Sequence, residues 1–88
     1  METTIGVRVL FFASLRELFG ESRLQMSVPE GTTVEALYGE LVRRQPRLKE
    51  LRPFTTFALN REVVDPSTLM RDGDEVALLQ PVSGGGDD

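Results

Sequence analysis

The feature of this sequence that most constrains its fold is one apolar stripe at helical spacing. Its residues recur at i, i+3, i+4, i+7 and i+8, so they share one face of a helix. They are Val34, Leu37, Tyr38, Leu41 and Val42. Thr32 and Glu35 form a predicted capping box, and Pro46 ends the helix because the residue before a proline resists helical torsions. A single helix with one apolar face needs a sheet to cover that face.

Most other apolar residues alternate with polar ones, which is typical of half-buried strands. The predicted strands are residues 5–12, 23–28, 54–59, 63–64 and 75–80. Ala13–Phe19 is predicted to be a short helix with Ser14 as its cap, and Asp72-Gly73-Asp74 a surface turn. This order predicts an α+β fold of the β-grasp type, with a mixed sheet packed on one main helix. Its first and last strands are then parallel neighbours in mid-sheet.

Alternation along the two central strands assigns apolar residues to both faces of the sheet. The predicted core side of the first strand consists of Ile5, Val7, Val9 and Phe11. Leu10 and Phe12 lie on the opposite face, and Leu79 takes the same face on the last strand. Two interpretations are open: strands buried on both sides, or an exposed apolar patch that binds a partner.

Basic residues gather around the end of the main helix. They are Arg43, Arg44, Arg47, Lys49 and Arg52. Cations are favourable against the dipole at a helix C-terminus. We prefer this interpretation to an anion or partner site, because no aromatic residues or glycines are interleaved with the basic ones.

Missing residue types exclude most self-sufficient enzymes. The chain has no cysteine and no histidine, so it lacks a thiol nucleophile, thiolate metal ligands and the usual general base. A net charge of -4 and the lack of a long apolar run predict no nucleic-acid or membrane partner. Without signal-peptide features, the predicted location is cytoplasmic. We predict one β-grasp domain at 1–81, a flexible glycine-rich tail at 82–88, and no bound metal or cofactor.

The tail offers a backbone carboxyl group rather than a reactive side chain. The stretch from Val82 to Gly85 can extend about 13 Å. Glycines have no side chain, so such a tail can enter a channel too narrow for other residues. This suits a carrier whose own terminus is the substrate of another enzyme, although a glycine-rich terminus also fits a merely disordered end.

Four blocks in a common order resemble the small, sulfur-carrying subunits of molybdopterin synthase. They are residues 9–20 (VLFFASLRELFG), 33–37 (TVEAL), 72–77 (DGDEVA) and 81–85 (PVSGG). The resemblance covers nearly the whole chain and implies a ubiquitin-like β-grasp fold. It also implies a non-catalytic subunit of a sulfurtransferase.

The same resemblance implies how the tail works. Gly85 carries the reactive carboxyl group, at the end of an arm formed by Pro81, Val82, Ser83 and Gly84. A partner similar to ubiquitin-activating enzymes adenylates Gly85 with MgATP, and sulfur then replaces AMP to give a thiocarboxylate. The tail next enters the large synthase subunit, where the sulfur passes to cyclic pyranopterin monophosphate.

The predicted partner interface consists of Leu10 and Phe12, which alternation assigns to the outer face, and of Leu79, which the resemblance also supports. Leu79 falls at an interface position that is often aromatic in the family. Gln80 replaces a proline that is common there.

Gly86, Asp87 and Asp88 depart from the family pattern, which ends at the second glycine. Three explanations are open: a processing protease removes these residues, the chain is a paralogue with a changed role, or they do not belong to the natural protein. Other functions are open as well. They are a related carrier for thiamin, tRNA thiolation or cysteine synthesis, a protein modifier, and a non-catalytic interaction module.

Overall fold

The computed structural model describes residues 3–80. The elements are β1 (Thr4–Phe11), α1 (Ala13–Phe19), β2 (Arg23–Pro29), α2 (Val34–Arg44), α3 (Leu48–Leu51), a 3-10 turn (Arg52–Phe54), β3 (Thr56–Leu59), β4 (Glu62–Val63) and β5 (Glu75–Leu79). None of the helices in these residues has the length and apolar character needed to cross a membrane.

The described strands form one mixed sheet in the order β2-β1-β5-β3-β4. The central strands β1 and β5 are parallel, with Val9 opposite Val76 and Phe11 opposite Leu78. The pairs β1–β2, β3–β5 and β3–β4 are antiparallel. The predicted β-grasp fold is therefore confirmed, and β5 ends in the middle of the sheet.

One apolar core lies between the sheet and the helices. The inward residues of β1 are buried together with the α2 stripe and with Leu15 of α1, as predicted. Val42, at the edge of the stripe, is only partly buried. The hydroxyl of Tyr38 lies inside this core and donates a hydrogen bond of 2.7 Å to the carbonyl of Leu48. Burial raises the pKa of the Tyr38 phenol, because the charged form loses water.

The start of α2 differs from the predicted capping box by one residue. Thr33 is the N-cap, and its hydroxyl accepts a hydrogen bond of 3.0 Å from the amide of Ala36. Thr32 instead donates its hydroxyl to the carbonyl of Pro29 at 2.6 Å. Glu35 binds Arg52 rather than the backbone at the helix start. The box prediction was wrong because both of its members have closer partners elsewhere.

The connection from α2 to β3 contains two elements that the pattern did not predict. Pro46 does end the helix, but α3 and the 3-10 turn follow before the next strand begins. The predicted strand at 54–59 is therefore shorter, and Phe54 belongs to the turn. Pro53 favours this turn because its fixed φ is compatible with the first residues of a helix.

An ion pair ties α2 to the 3-10 turn. The guanidinium Nε of Arg52 donates to Glu35 Oε1 at 3.1 Å and to Oε2 at 3.0 Å. The central guanidinium carbon, Cζ, lies 4.8 Å from the ring centroid of Phe57. The hydrogen bond from Arg52 lowers the pKa of the Glu35 carboxyl group below its usual value of 4.5. Because the carboxylate is favoured in the folded state, this stabilisation is present above about pH 4.5 and is lost as the pH falls through the lower folded pKa.

We expect Glu35→Gln to lower the free energy of unfolding by about 0.5–1 kcal/mol at pH 7, since both partners are partly exposed. The difference from the parent protein should shrink as the pH falls below about 4.5 and through the lowered pKa of folded Glu35. Urea unfolding over a series of pH values from 7 downwards measures this. Glu40→Gln is the matched control, because Glu40 lies on the same helix in a more exposed pair with Arg43. An equal loss in both variants would show that the Arg52 pair has no special role.

Candidate functional site

An apolar row crosses the face of the sheet opposite the core. Leu10 pairs with Ala77, Ala77 with Ala58, and Ala58 with Val63, so one row spans β1, β5, β3 and β4. We call these four residues the outer-face row. The core-facing residues of the helices all belong to the other side, so within residues 3–80 no helix covers this row.

Exposure along the outer-face row favours an open surface over strands buried on both sides. Leu10 and Ala77 are half-buried and the small Ala58 is buried between its neighbours, whereas 71% of Val63 is exposed. Phe12 directly follows β1 and is 45% exposed. Leu79 is half-buried in the next row, opposite Thr56. The structure thus brings Leu10, Phe12 and Leu79 to one side of the central strands, as the alternation predicted.

Two members of the outer-face row were missed by sequence reasoning. Ala58 is small and Val63 lies in a strand of two residues, so neither has a periodic signal of its own. Their position follows from the antiparallel register of β3, which places Ala58 between Ala77 and Val63. The sequence does contain a signal for this position: the Asn60-Arg61 turn predicts that the strands on either side of it pair as a hairpin, which would place Ala58 beside Val63.

Charged side chains border the outer-face row on the β2 side. Arg23 is the β2 partner of Leu10 and is exposed. One row away, Arg8 Nη1 lies 3.4 Å from Glu75 Oε2. An apolar centre with a charged rim is the usual composition of a protein–protein interface. This surface therefore has the chemistry to bind another protein.

The turn before β5 holds the base of this face in place. The carboxylate of Asp74 accepts hydrogen bonds from the Arg71 amide at 2.7 Å and from the Asn60 side chain at 2.9 Å. The Asn60 side chain in turn accepts from the Glu75 amide at 3.0 Å. These bonds fix the start of β5, and the predicted turn at Asp72-Gly73-Asp74 is confirmed by the positive φ of 90° at Gly73.

The root of the tail lies where β5 ends. Gln80 is the last described residue, and its side-chain oxygen accepts a hydrogen bond from the hydroxyl of Ser14. Ser14 was predicted to cap α1, but the N-cap position belongs to Phe12 and has no side-chain hydrogen bond. The cap prediction was therefore wrong, because the hydroxyl contacts the tail root instead.

Two exposed aromatic residues flank the strand β5 near the tail root. Phe12 follows Phe11, which pairs with Leu78 on one side of β5. Phe54, which is 60% exposed, precedes β3 on the other side. The sequence assigned Phe54 to a strand and did not single it out as a surface residue.

Ala13 has unusual backbone torsions at the same place. Its φ of 53° is positive. Such torsions cost a residue with a β-carbon roughly 1–2 kcal/mol. The strained residue connects Phe12, at the outer face, to Ser14, at the tail root.

The predicted tail residues lie outside the described part of the chain. They are Pro81, Val82, Ser83, Gly84, Gly85 and Gly86. Their assignment, and the predicted domain boundary after residue 81, stay predictions.

Comparisons with known proteins agree on one family. The model of the ThiS family matches residues 9–85 of this chain. The molybdopterin synthase sulfur carrier subunit of Arabidopsis thaliana is 37% identical over 83 residues, which cover 94% of this chain and 86% of that protein.

Two solved structures extend the comparison to three dimensions. The small archaeal modifier protein 1 of Methanosarcina acetivorans has a TM-score of 0.80 at 28% identity, covering 94% of this chain and 99% of that one. A chain from the complex of subunits 1 and 2 of the molybdopterin-converting factor of Helicobacter pylori has a TM-score of 0.65 at 28% identity, covering 92% and 100%.

Proposed function

Because this chain belongs to the ThiS family, we propose that it is a sulfur carrier and serves as the small subunit of a molybdopterin synthase. The observation that carries this proposal is the 37% identity, over 94% of the chain, to a molybdopterin synthase sulfur carrier subunit. The match to the family model also runs through the glycine pair and stops at Gly85. The family match therefore includes the glycine pair that the carrier chemistry requires.

The proposed reaction takes place at the backbone carboxyl group of Gly85. In the activating partner the carboxylate attacks the α-phosphorus of MgATP, and pyrophosphate leaves as the acyl-adenylate forms. Hydrosulfide from the sulfur donor then attacks the acyl carbon, and AMP leaves as the thiocarboxylate forms. Since the chain has no cysteine, the sulfur has no thiol of this chain to occupy and stays on the tail. The thiocarboxylate sulfur then displaces an oxygen leaving group from a carbon of cyclic pyranopterin monophosphate. Water cleaves the acyl–sulfur bond, which leaves the sulfur on the pterin and regenerates the Gly85 carboxylate.

In this reaction the described residues bind the partner proteins and hold the start of the tail next to the bound partner. The outer-face row is the proposed contact with the large synthase subunit and with the activating enzyme, which use the surface in turn. This is supported by its apolar centre, its charged rim and its position beside the end of β5. The Helicobacter pylori complex, in which a similar chain is paired with subunit 2, agrees with a partner of this kind.

Residues 86–88 fit this role only if they are removed. With them in place, the free α-carboxyl group is that of Asp88, about 10 Å beyond Gly85, on a tail that carries two anionic side chains. We therefore propose that a protease exposes Gly85. A protein modifier is the second candidate function, because the chain is also similar to the small archaeal modifier protein 1.

A reconstituted synthase tests the proposal. The version ending at Gly85, treated with the activating enzyme, MgATP and a sulfur donor, should support molybdopterin formation by the large subunit. A version ending at Val82 is the control and should support none. If both versions are inactive while the chain becomes linked to lysines of other proteins, the modifier function is correct and the synthase function is not.

A further inference from the structure

The tail root is joined to the domain by a side chain as well as by the backbone. The β-ladder of β5 ends at Leu79, opposite Thr56. Gln80 comes after the last paired residue, and its side-chain oxygen accepts the Ser14 hydroxyl across 66 positions of sequence. This hydrogen bond connects the start of the tail to the start of α1.

The start of α1 is strained directly beside Ser14. The helix begins at Ala13, and its N-cap residue, Phe12, makes no side-chain cap. Ala13 has a φ of 53°. A residue is held in such an unfavourable conformation only where the surrounding structure fixes it, and such positions cluster at functional sites.

We propose that Ser14 is a positioning residue for the carrier reaction: its hydrogen bond to Gln80 sets the direction in which the tail leaves the sheet. This inference rests on the proposed function. The direction at the root matters because a tail of five residues can reach at most about 17 Å, so it has to start towards the partner's channel if Gly85 is to enter it.

The bond should act on binding rather than on chemistry. A tail root that is already held loses less freedom when the tail enters a partner's channel. Once the tail is bound, the channel itself positions Gly85. Removing the hydroxyl should therefore raise KM for the carrier and leave kcat nearly unchanged.

The test uses the chain ending at Gly85, which retains every described residue. We expect Ser14→Ala to raise KM in the adenylation reaction about 3- to 10-fold, the range expected for one net hydrogen bond. Ser14→Thr keeps a hydroxyl and should restore KM. Gln80→Met removes the acceptor and should match Ser14→Ala, and the double variant should be no worse than either single one.

A merely structural role predicts a different pattern. If Ser14 only supported α1, Ser14→Ala would change the melting temperature and leave KM alone. Alanine is a better helix former, so we expect the melting temperature to stay the same or rise. An unchanged KM in Ser14→Ala would overturn the proposal.

Backbone 15N relaxation gives a second readout that does not depend on sulfur chemistry. The order parameter of Gln80 should fall from about 0.85 to about 0.6 or less in Ser14→Ala, and should be retained in Ser14→Thr. An unchanged order parameter in Ser14→Ala would show that the bond does not hold the tail root. Failure of the parent chain to be adenylated would instead contradict the proposed function, and the positioning role would fall with it.

Discussion

Protein ending at Gly85 is expected to gain about 16 Da when incubated with the activating enzyme, MgATP and a sulfur donor, as sulfur replaces one carboxyl oxygen. Protein ending at Asp88 should gain nothing. The reason is the size and charge of the end that must enter the activating site. Glycine has no side chain, whereas the longer chain presents two carboxylate side chains and places its terminus about 10 Å further on. Intact-mass spectrometry measures the difference directly.

A series of chain ends makes this result specific. Versions ending at Gly84, Gly85 and Gly86 all end in an unhindered glycine, so they differ only in the length of the arm. We expect the gain to be greatest for Gly85. A gain of the same size in the full chain would remove the need for a protease. The absence of any gain in the Gly85 version would contradict the carrier function.

Much of the fold was predictable because two periodic patterns carried it. The α2 stripe required a covering sheet, and alternation in β1 and β5 assigned Val9 and Leu10 to opposite faces. The structure confirms both assignments. Predictions from such a pattern are reliable because the structure is determined by burial of the whole apolar stripe and does not depend on any single contact.

Local polar signals were less reliable, because a hydroxyl or a carboxylate binds the nearest partner in space. Thr32 and Glu35 match a capping box, but their partners are Pro29 and Arg52. Ser14 likewise contacts Gln80, 66 residues away. The partners of Glu35 and Ser14 are too distant in sequence to be inferred from neighbouring residues. The Ser14 contact depends on the finished packing of β5 beside β1 and α1.

The position of the site was predicted more fully than its extent. The predicted β-grasp order makes the first and last strands neighbours in mid-sheet. This adjacency brings Leu10, Phe12 and Leu79 together beside the point where the tail begins. Ala58 and Val63 complete the outer-face row through β3, whose start the sequence placed two residues too early. Because β3 starts later than predicted, Phe54 is an exposed residue near the tail root and not a strand residue.

We expect charge within the outer-face row to abolish tight binding of the large synthase subunit. Val63→Asp places a carboxylate at one end of the row, and Leu10→Asp places one at the other end. A charge buried against an apolar partner surface without a counter-ion is costly, so each variant should weaken binding by about 30-fold or more. Val63 is the cleaner site because it is 71% exposed, and its replacement leaves the core intact.

Ser27→Asp is the matched control for these two variants. Ser27 is exposed on the same face of the sheet, opposite Gly6, and the substitution adds the same charge. It lies four positions along β2 from Arg23, the partner of Leu10, and is therefore about 13 Å from the row. Calorimetric titration gives the Kd of each variant, and thermal unfolding shows that it is folded. Equal weakening by Ser27→Asp would indicate a general effect of net charge. Unchanged binding in folded Val63→Asp and Leu10→Asp would place the partner on another surface.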